Sequence, residues 1–543
     1  VINLNLDKFN EAQKTAITLG NEHALVLSCP GSGKSTILVN RIAYLINQKV
    51  NSANILAVTF SKAAATNMVD KSNTIAPNIP SNICIKTFHA FLYGLLREND
   101  AYWRTNKLSR EYELKQLIYK IVCETLKLES KTNSKKIDVV GILQFITYQK
   151  NHALSPEDTM VDIPDMENLP YKMKTMQQIY YQWEKLKHGS KLVTFEDMVY
   201  EGYKLIRDNS KIRKQLQEKY QYIMIDESND LTKLQYEIIC LIGLKSKSVM
   251  IIGDPSQAIY GFLGAKNTYM KQFVDDFDNV KIINSNINYR SQGKIVNCYN
   301  AFLKNSPEVK YKYYAPAIAH KAMNEDVEYN VFHNGMEEAN WIGSKIQELV
   351  EDKKYTYKDM YIIYRTNAQS MFFEKTLSSL EIPYHLTDGL SFYNRKEIKD
   401  IVCYLKLIND SNNDEAYTRI YNSPGRYFGE VYLEQVKVFA QKKGISLYES
   451  MLRFPKRNEW RYTEHIDKFE YIIHKCKSHV GKYKVSTLID MLRKELGYDN
   501  YISKEYGGSL DNNRIDNLNS FQQQANDYKD LGEFLKIIEQ LSV

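Results

Sequence analysis

Apolar residues follow two rhythms along this chain, and the alternation between them divides it into four stretches. In the first, short apolar runs alternate with helix-period segments: Ala24 to Leu27 then Ile37 to Ile46, Ile55 to Phe60 then Ala63 to Asp70, Ile83 to Thr87 then Ala90 to Arg97. Strands that alternate with helices in this way build a parallel sheet covered on its faces. A capped helical pattern, Leu6 to Ile17, comes before them. From about Glu98 to Leu216 the pattern is almost continuously helical, rich in Lys, Tyr and Leu and without strand signals. It breaks at Val193-Thr194-Phe195-Glu196-Asp197-Met198, where Thr194 is placed to cap the next helix. The α/β rhythm resumes with Tyr222 to Ile225 and Ser248 to Ile252, and strands expected near Val327 to Phe332 and Met360 to Tyr364 open a second α/β region. From about Asp388 onward the chain is mostly helical again, with the polar run Asn409 to Asp414 as a loop.

At 543 residues the chain is too long for one core. Its 43% hydrophobic and 25% charged content is that of a globular protein. No stretch approaches the ~20 apolar residues needed to cross a bilayer and the N-terminus lacks a leader pattern, so no membrane association and a cytoplasmic location are expected. Seven cysteines without C-x-x-C spacing fit reduced thiols better than disulfides or zinc. The net charge of +7 is modest, but residues 101–150 hold ten Lys or Arg against five acids. Such a cluster suits either a polyanion or a solvated helical face.

The chemistry concentrates at strand ends. Ser28-Cys29-Pro30-Gly31-Ser32-Gly33-Lys34-Ser35-Thr36 lies between a strand and a helix, as a phosphate cradle must. Gly31 and Gly33 let backbone N–H groups turn towards an anion, Lys34 supplies a point charge for β- and γ-phosphates, and Ser35 suits Mg²⁺. Upstream, the Gln13 amide offers a donor and an acceptor to a purine edge. Asp226 and Glu227 end an apolar strand: the first is suited to hold Mg²⁺, the second to orient and deprotonate water. Gly253-Asp254-Pro255-Ser256-Gln257 ends the next strand, where Gln257 could sense a γ-phosphate and Tyr260 and Phe262 could face bases. Phe60 and His89, also at strand ends, could stack on a nucleic acid or belong to the core. In Asn288-Tyr289-Arg290-Ser291, Arg290 could act as an arginine finger and Tyr289 could stack on adenine. Arg395 and Lys396 stand at a helix start, where a phosphate contact or plain solvation would account for them.

The ordered set FNEAQ, GSGKST, TFSKAAA, TFHAF, DESND, GDPSQAIYGF, NYRS, YRTNAQS and FYNRKEIKD resembles the UvrD/Rep-like superfamily 1 DNA helicases over the whole chain. The resemblance implies an α/β fold of two RecA-like P-loop motor domains, each with a largely helical insertion, ATP and Mg²⁺ between them, and single-stranded DNA across both. The expected division is residues 1–97 with 217–285 for the first motor, 98–216 for its insertion, 286–387 for the N-terminal part of the second motor, and 388–543 for its insertion. By the same resemblance Gln13 and Tyr289 contact adenine, Lys34 and Ser35 the phosphates and Mg²⁺, Asp226 the metal, and Glu227 the water. Gln257 and Arg290 sense the γ-phosphate, and Phe60, His89, Tyr260 and Phe262 line the DNA track. Translocation 3′ to 5′, binding at single-stranded and duplex-junction DNA, a protein partner on the second insertion and a monomeric state complete the expectation.

Three departures qualify it. Asn229 stands where the family has Gln, and Leu263 where an arginine is usual. Motifs resembling H-x-x-K-G-L-E and Y-V-x-x-T-R-A, expected after the second insertion, do not occur before Val543, and Val1 is not an initiator methionine. The residues therefore read as a segment of a longer polypeptide, and slow hydrolysis by this chain alone is expected. The alternatives are a nucleotide-gated DNA- or protein-binding module without unwinding, and a motor serving nuclease recruitment or defence.

Overall fold

Five of the apolar runs, joined by Lys281–Ser285, which the pattern did not single out, become six parallel strands in the computed structural model, which describes residues 2, 4–75, 82–109, 111–126, 137–158, 160, 170–261, 265–306, 315–323, 326–386, 392–426, 428–454, 460–506 and 512–541. They are β1 (Ala24–Ser28), β2 (Ile55–Thr59), β3 (Cys84–Thr87), β4 (Tyr222–Ile225), β5 (Ser248–Gly253) and β6 (Lys281–Ser285). The order across the sheet is β3-β2-β4-β5-β1-β6. β1 pairs on one side with β5, Ala24 opposite Met250, and on the other with β6, Ala24 opposite Lys281. β1, β2, β4 and β5 are buried at every position, because helices cover both faces and leave no solvent side for an alternating pattern.

Helices α1 (Glu11–Ile17), α2 (Lys34–Asn47) and α3 (Lys62–Ile75) precede α4 (Phe88–Asn99) in this unit. Ile37, Leu38, Ile42 and Leu45 of α2 pack with Val26, Met250 and Ile252 on one face of the sheet. Phe91, Leu92 and Leu95 of α4 pack with Leu25, Ile223 and Ile251 in the cluster on the other. Buried Arg41 of α2 donates to the carbonyl of Leu19 at 2.5 Å and to Ser248 Oγ at 2.9 Å, fixing the end of α1 and the start of β5. Among the described residues, the chain between α4 and β4 is mainly helical, as its pattern predicts, with a short parallel pairing of Lys107–Leu108 with Leu192–Val193.

The chain forms two compact units, Val1–Ser130 with Gly141–Tyr329, and Lys131–Val140 with Asn330–Val543. The second has a single large helical core in which Phe392, Ile401, Leu405, Phe469, Ile489, Phe521 and Phe534 are buried. Arg395 belongs to this interior: its guanidinium donates to Asn517 Oδ1 at 2.9 Å and Ser370 Oγ at 3.3 Å, which accounts for a cation at a helix start. The strands expected near Val327 to Phe332 and Met360 to Tyr364 are not formed. A strand exists by pairing, and among the described residues neither segment has a ladder partner. The period-2 pattern still governs the second: Ile362 and Tyr364 pack with Phe373 and Leu377, while Tyr361 and Ile363 are 80% and 93% exposed.

Candidate nucleotide and nucleic-acid site

The loop after β1 is built by contacts from three directions. Gly31 and Gly33 have φ of +72° and +91°, a left-handed conformation that side chains disfavour. Space adds a second constraint at Gly31, where a Cβ would lie 2.6 Å from Arg290 Cβ and 2.9 Å from Asn288 Oδ1. Gln13 Nε2 donates to the Ser32 carbonyl at 2.9 Å while its Oε1 accepts from Asn10 N at 3.1 Å. Ser32 Oγ donates to the Cys29 carbonyl at 2.7 Å, and Asn288 Nδ2 donates to the Pro30 carbonyl at 2.7 Å. Gly33 provides no side-chain cap for α2, so the first-turn N–H groups, from Lys34 through Ser35 and Thr36, meet no capping side chain. The loop is thus held through its carbonyls while the helix start remains fit for an anion.

The carboxylates after β4 complete this arrangement. Lys34 Nζ lies 3.4 Å from Glu227 Oε1. Asp226 is buried and accepts from Glu227 N at 3.0 Å. Burial, with Glu227 as a like-charged neighbour, raises the Asp226 pKa to about 6. Glu227 has φ +50°, a strained backbone for a non-glycine residue and one that clusters at functional sites. Lys34, Ser35, Asp226 and Glu227 supply the ammonium, hydroxyl and carboxylate groups that a magnesium nucleotide requires. The under-compensated charge at Asp226 suits a divalent cation.

Asn229 joins this carboxylate turn to the next loop: its Oδ1 accepts from Asp254 N at 3.1 Å, and its Nδ2 donates to Asp230 Oδ2 at 2.9 Å. Gln257 Nε2 donates to Asp254 Oδ2 at 2.8 Å. Arg290 is exposed, and among the described residues its guanidinium has no ion-pair partner. Tyr289 N donates to the Gly31 carbonyl at 3.0 Å, its hydroxyl accepts from Asn10 Nδ2 at 2.8 Å, and its ring lies 4.7 Å from that of His320.

Two of the four aromatic candidates for the DNA track meet directly. Phe60 stacks on Tyr260 with centroids 4.6 Å apart and planes at 30°. His89 meets the ring of Phe195 edge-on at 5.9 Å, and burial lowers its pKa, favouring the neutral form. Phe262 and Leu263 lie outside the described residues. Phe195, 54% exposed on the first turn of Phe195–Asp208, is an aromatic neighbour of His89 that sequence reasoning did not single out. The signal available was a large apolar residue directly after the Thr194 cap, where a helix usually meets solvent. Asn10 and Asn288 were also missed; both sit within recognised motifs but act through backbone and Tyr289 contacts that spacing alone does not reveal.

A parallel sheet with a glycine loop after β1 and an acidic pair after β4 defines a P-loop nucleotide-binding protein of the RecA-like kind. Residues 9–278 match the UvrD/REP helicase N-terminal domain, and residues 283–542 match the UvrD-like helicase C-terminal domain. The chain is 31% identical over 511 residues to an ATP-dependent DNA helicase Rep of Buchnera aphidicola, covering 91% of this chain and 76% of that protein. It is 28% identical over 540 residues to an ATP-dependent DNA helicase PcrA of Staphylococcus aureus, covering 97% and 71%. A PcrA of Staphylococcus epidermidis is 27% identical over 536 residues, also covering 97% and 71%. The chain belongs to the UvrD/Rep-like family of DNA helicases. Among the described residues, no helix is long and apolar enough to cross a membrane.

Proposed function

We propose that ATP turnover by this UvrD/Rep-type DNA helicase is carried by Lys34 at the start of α2 and by Asp226 and Glu227 after β4, with Arg290 beside the loop. The observation that carries this reading is the 3.4 Å approach of Lys34 to Glu227 next to a helix start without a side-chain cap. Lys34 binds the β- and γ-phosphates, and the loop from Pro30 through Thr36 wraps them with N–H groups. Ser35 and Asp226 would hold Mg²⁺, whose role is to neutralise phosphate charge. Glu227 orients the attacking water and takes its proton. Lys34 must leave Glu227 as phosphate arrives, which frees that carboxylate for its role as base.

Gln257, tied to Asp254, senses the γ-phosphate by exchanging that bond, and Asn229 carries the change between the two loops. Tyr289 stacks on adenine, and Gln13 either reads its edge or holds the loop that surrounds it. Phe60, Tyr260, Phe262 and His89 form the track for single-stranded DNA, with motion 3′ to 5′. The motors correspond to residues 1–97 with 217–285 and to 286–387, and the insertions to 98–216 and 388–543. The protein acts as a cytoplasmic monomer at single-stranded and duplex-junction DNA, with the second insertion open to a protein partner. A nucleotide-gated module without turnover is not favoured, because the relatives are ATP-dependent helicases by name.

The test is ATP hydrolysis with and without single-stranded DNA, for the wild type and Lys34→Ala. Stimulation in the wild type and its loss in the variant are expected; absence of stimulation by any nucleic acid defeats the motor reading. Polarity follows from unwinding of duplexes with one defined overhang.

A further inference from the structure

A cavity of about 610 Å³ opens in the helical region between α4 and β4, away from the glycine loop. Its size falls in the range of small-molecule sites. Its floor includes buried Asp197 and Lys187, which pair at 2.6 Å, and Lys187 also pairs with Glu184 at 3.0 Å. Lys150 binds the same two carboxylates. These ions satisfy one another, so the floor offers no free charge to a ligand.

The walls are aromatic. Tyr102 and His188 stack at 4.6 Å with planes 2° apart, Tyr181 stands exposed at the margin, and Trp103 and Tyr200 lie deeper. Trp103 and Tyr200 are only 3% and 7% exposed. Neither the Trp103 indole N–H nor the Tyr200 hydroxyl has a hydrogen-bond partner among the described residues, yet neither atom is sealed from solvent. Both groups are therefore left to water, and both belong to residues lining this cavity, where a ligand acceptor could replace that water.

The chemistry of these groups narrows the ligand. An indole N–H only donates, so the ligand must present an acceptor, which a guanidinium or ammonium group lacks. Flat aromatic walls favour a planar ring. The lining holds five carboxylates against three lysines, and Lys150 beneath the floor offsets one of the two spare acids, leaving one net negative charge, which disfavours phosphate. Lys204, one of the three, is already engaged with Glu201 at 3.4 Å and lies over the Tyr200 ring at 5.3 Å.

We propose that this cavity binds an uncharged planar nitrogen heterocycle carrying hydrogen-bond acceptors, of the purine nucleoside class, with the acceptors facing Trp103 and Tyr200. Such a site is separate from the ATP loop and from the aromatic pair Phe60 and Tyr260.

The test uses protein labelled with 5-fluorotryptophan, the Trp103 ¹⁹F line being assigned by its absence in Trp103→Phe. Adenosine and guanosine are titrated separately, with AMP and agmatine as the phosphate-bearing and cationic comparisons. A saturable shift of the Trp103 line with at least one nucleoside is expected. AMP should need about tenfold more to match it, agmatine should not shift the line, and Tyr200→Phe should weaken the nucleoside about five- to tenfold. Absence of a saturable shift with both nucleosides at millimolar concentration overturns the proposal. Stronger binding of AMP or agmatine, or unchanged affinity in Tyr200→Phe, does so equally. Should Trp103→Phe fail to fold, the line is assigned by elimination, replacing Trp183, Trp341 and Trp460 by phenylalanine one at a time, and the unmutated protein still carries the titration.

Discussion

Two buried aspartates in the same compact unit, each near lysine, have moved in opposite directions. Asp197 has Lys150 and Lys187 against one oxygen and the Thr194 N–H on the other at 2.8 Å, and these cations hold its pKa well below the carboxylate range despite burial. Asp226 is buried to a similar degree, but the adjacent lysine, Lys34, pairs with Glu227 instead, and the Asp226 pKa rises to about 6. The first arrangement is a closed neutral cluster that ties Val139–Asn151, Met173–Gly189 and Phe195–Asp208 together. The second is an open one, deficient in positive charge. A structural ion cluster is complete within the protein, whereas a site for a metal and a polyphosphate must leave charge uncompensated until they arrive.

The largest expected effect separates the two by chemistry. Glu227→Gln should lower the rate of ATP hydrolysis roughly 10²- to 10⁴-fold, the range for loss of a general base, while nucleotide still binds. Single-turnover hydrolysis beside equilibrium nucleotide binding checks this; unchanged turnover removes Glu227 from the role. Asp197→Asn should leave the site chemistry alone and cost about 3–5 kcal/mol of stability, because two buried ammonium groups then share only Glu184. Urea unfolding reads that cost. Since the folded pKa of Asp197 is depressed, its contribution is present above pH ~4 and is lost as the pH falls further. The gap between wild type and Asp197→Asn should therefore close only in strong acid.

This contrast was half legible in the sequence. Lys34, Asp226 and Glu227 announce themselves because the candidate site is local in sequence: glycines, lysine and hydroxyl follow within a few residues, and the acids directly end an apolar run. The sheet was legible for a related reason, since strands buried on both faces read as continuous apolar runs, as Ile55 to Thr59 and Ser248 to Ile252 do. Lys150, Glu184, Lys187 and Asp197 span almost fifty residues, and each looks like an ordinary polar residue on a helix. Nothing in one-dimensional spacing says that four helical charges point inward to one another. The strands expected near Val327 and Met360 show the converse: periodicity reports which faces want burial, but pairing needs a partner that the pattern cannot supply.

Asp226 allows a sharper test, because the sign of its effect is opposite to that of Asp197. A folded pKa of about 6 against about 3.9 unfolded means that the protonated acid is favoured by folding. That contribution is complete below pH ~4, is lost as the pH rises through about 6, and leaves a standing cost of roughly 3 kcal/mol at neutral pH. Asp226→Asn should therefore stabilise the protein without nucleotide by up to about 3 kcal/mol at pH 7.5, an advantage that vanishes below pH 4, while abolishing turnover. Denaturation at a series of pH values checks it. A destabilised Asp226→Asn protein at neutral pH would show that the carboxylate is already compensated and would erase the difference between the two aspartates.

The smallest effect lies inside the closed cluster. Lys187 carries a lowered pKa, because burial and the neighbouring Lys150 ammonium outweigh its two carboxylates. Lys150 has the same acids, with Glu184 at 2.7 Å, and lies 5.7 Å from the centre of the Tyr200 ring. Replacing Lys187 by methionine keeps an unbranched chain of similar length and relieves the repulsion between the ammonium groups. The excess negative charge left behind falls partly on Glu184, which borders the cavity and can draw on water there. Lys187→Met should then cost only about 1 kcal/mol, well below Asp197→Asn, seen as a small fall in the urea midpoint with an unchanged slope. A cost equal to that of Asp197→Asn would mean that the four charges act as one indivisible unit, with Lys187 as necessary to Asp197 as Lys150 is.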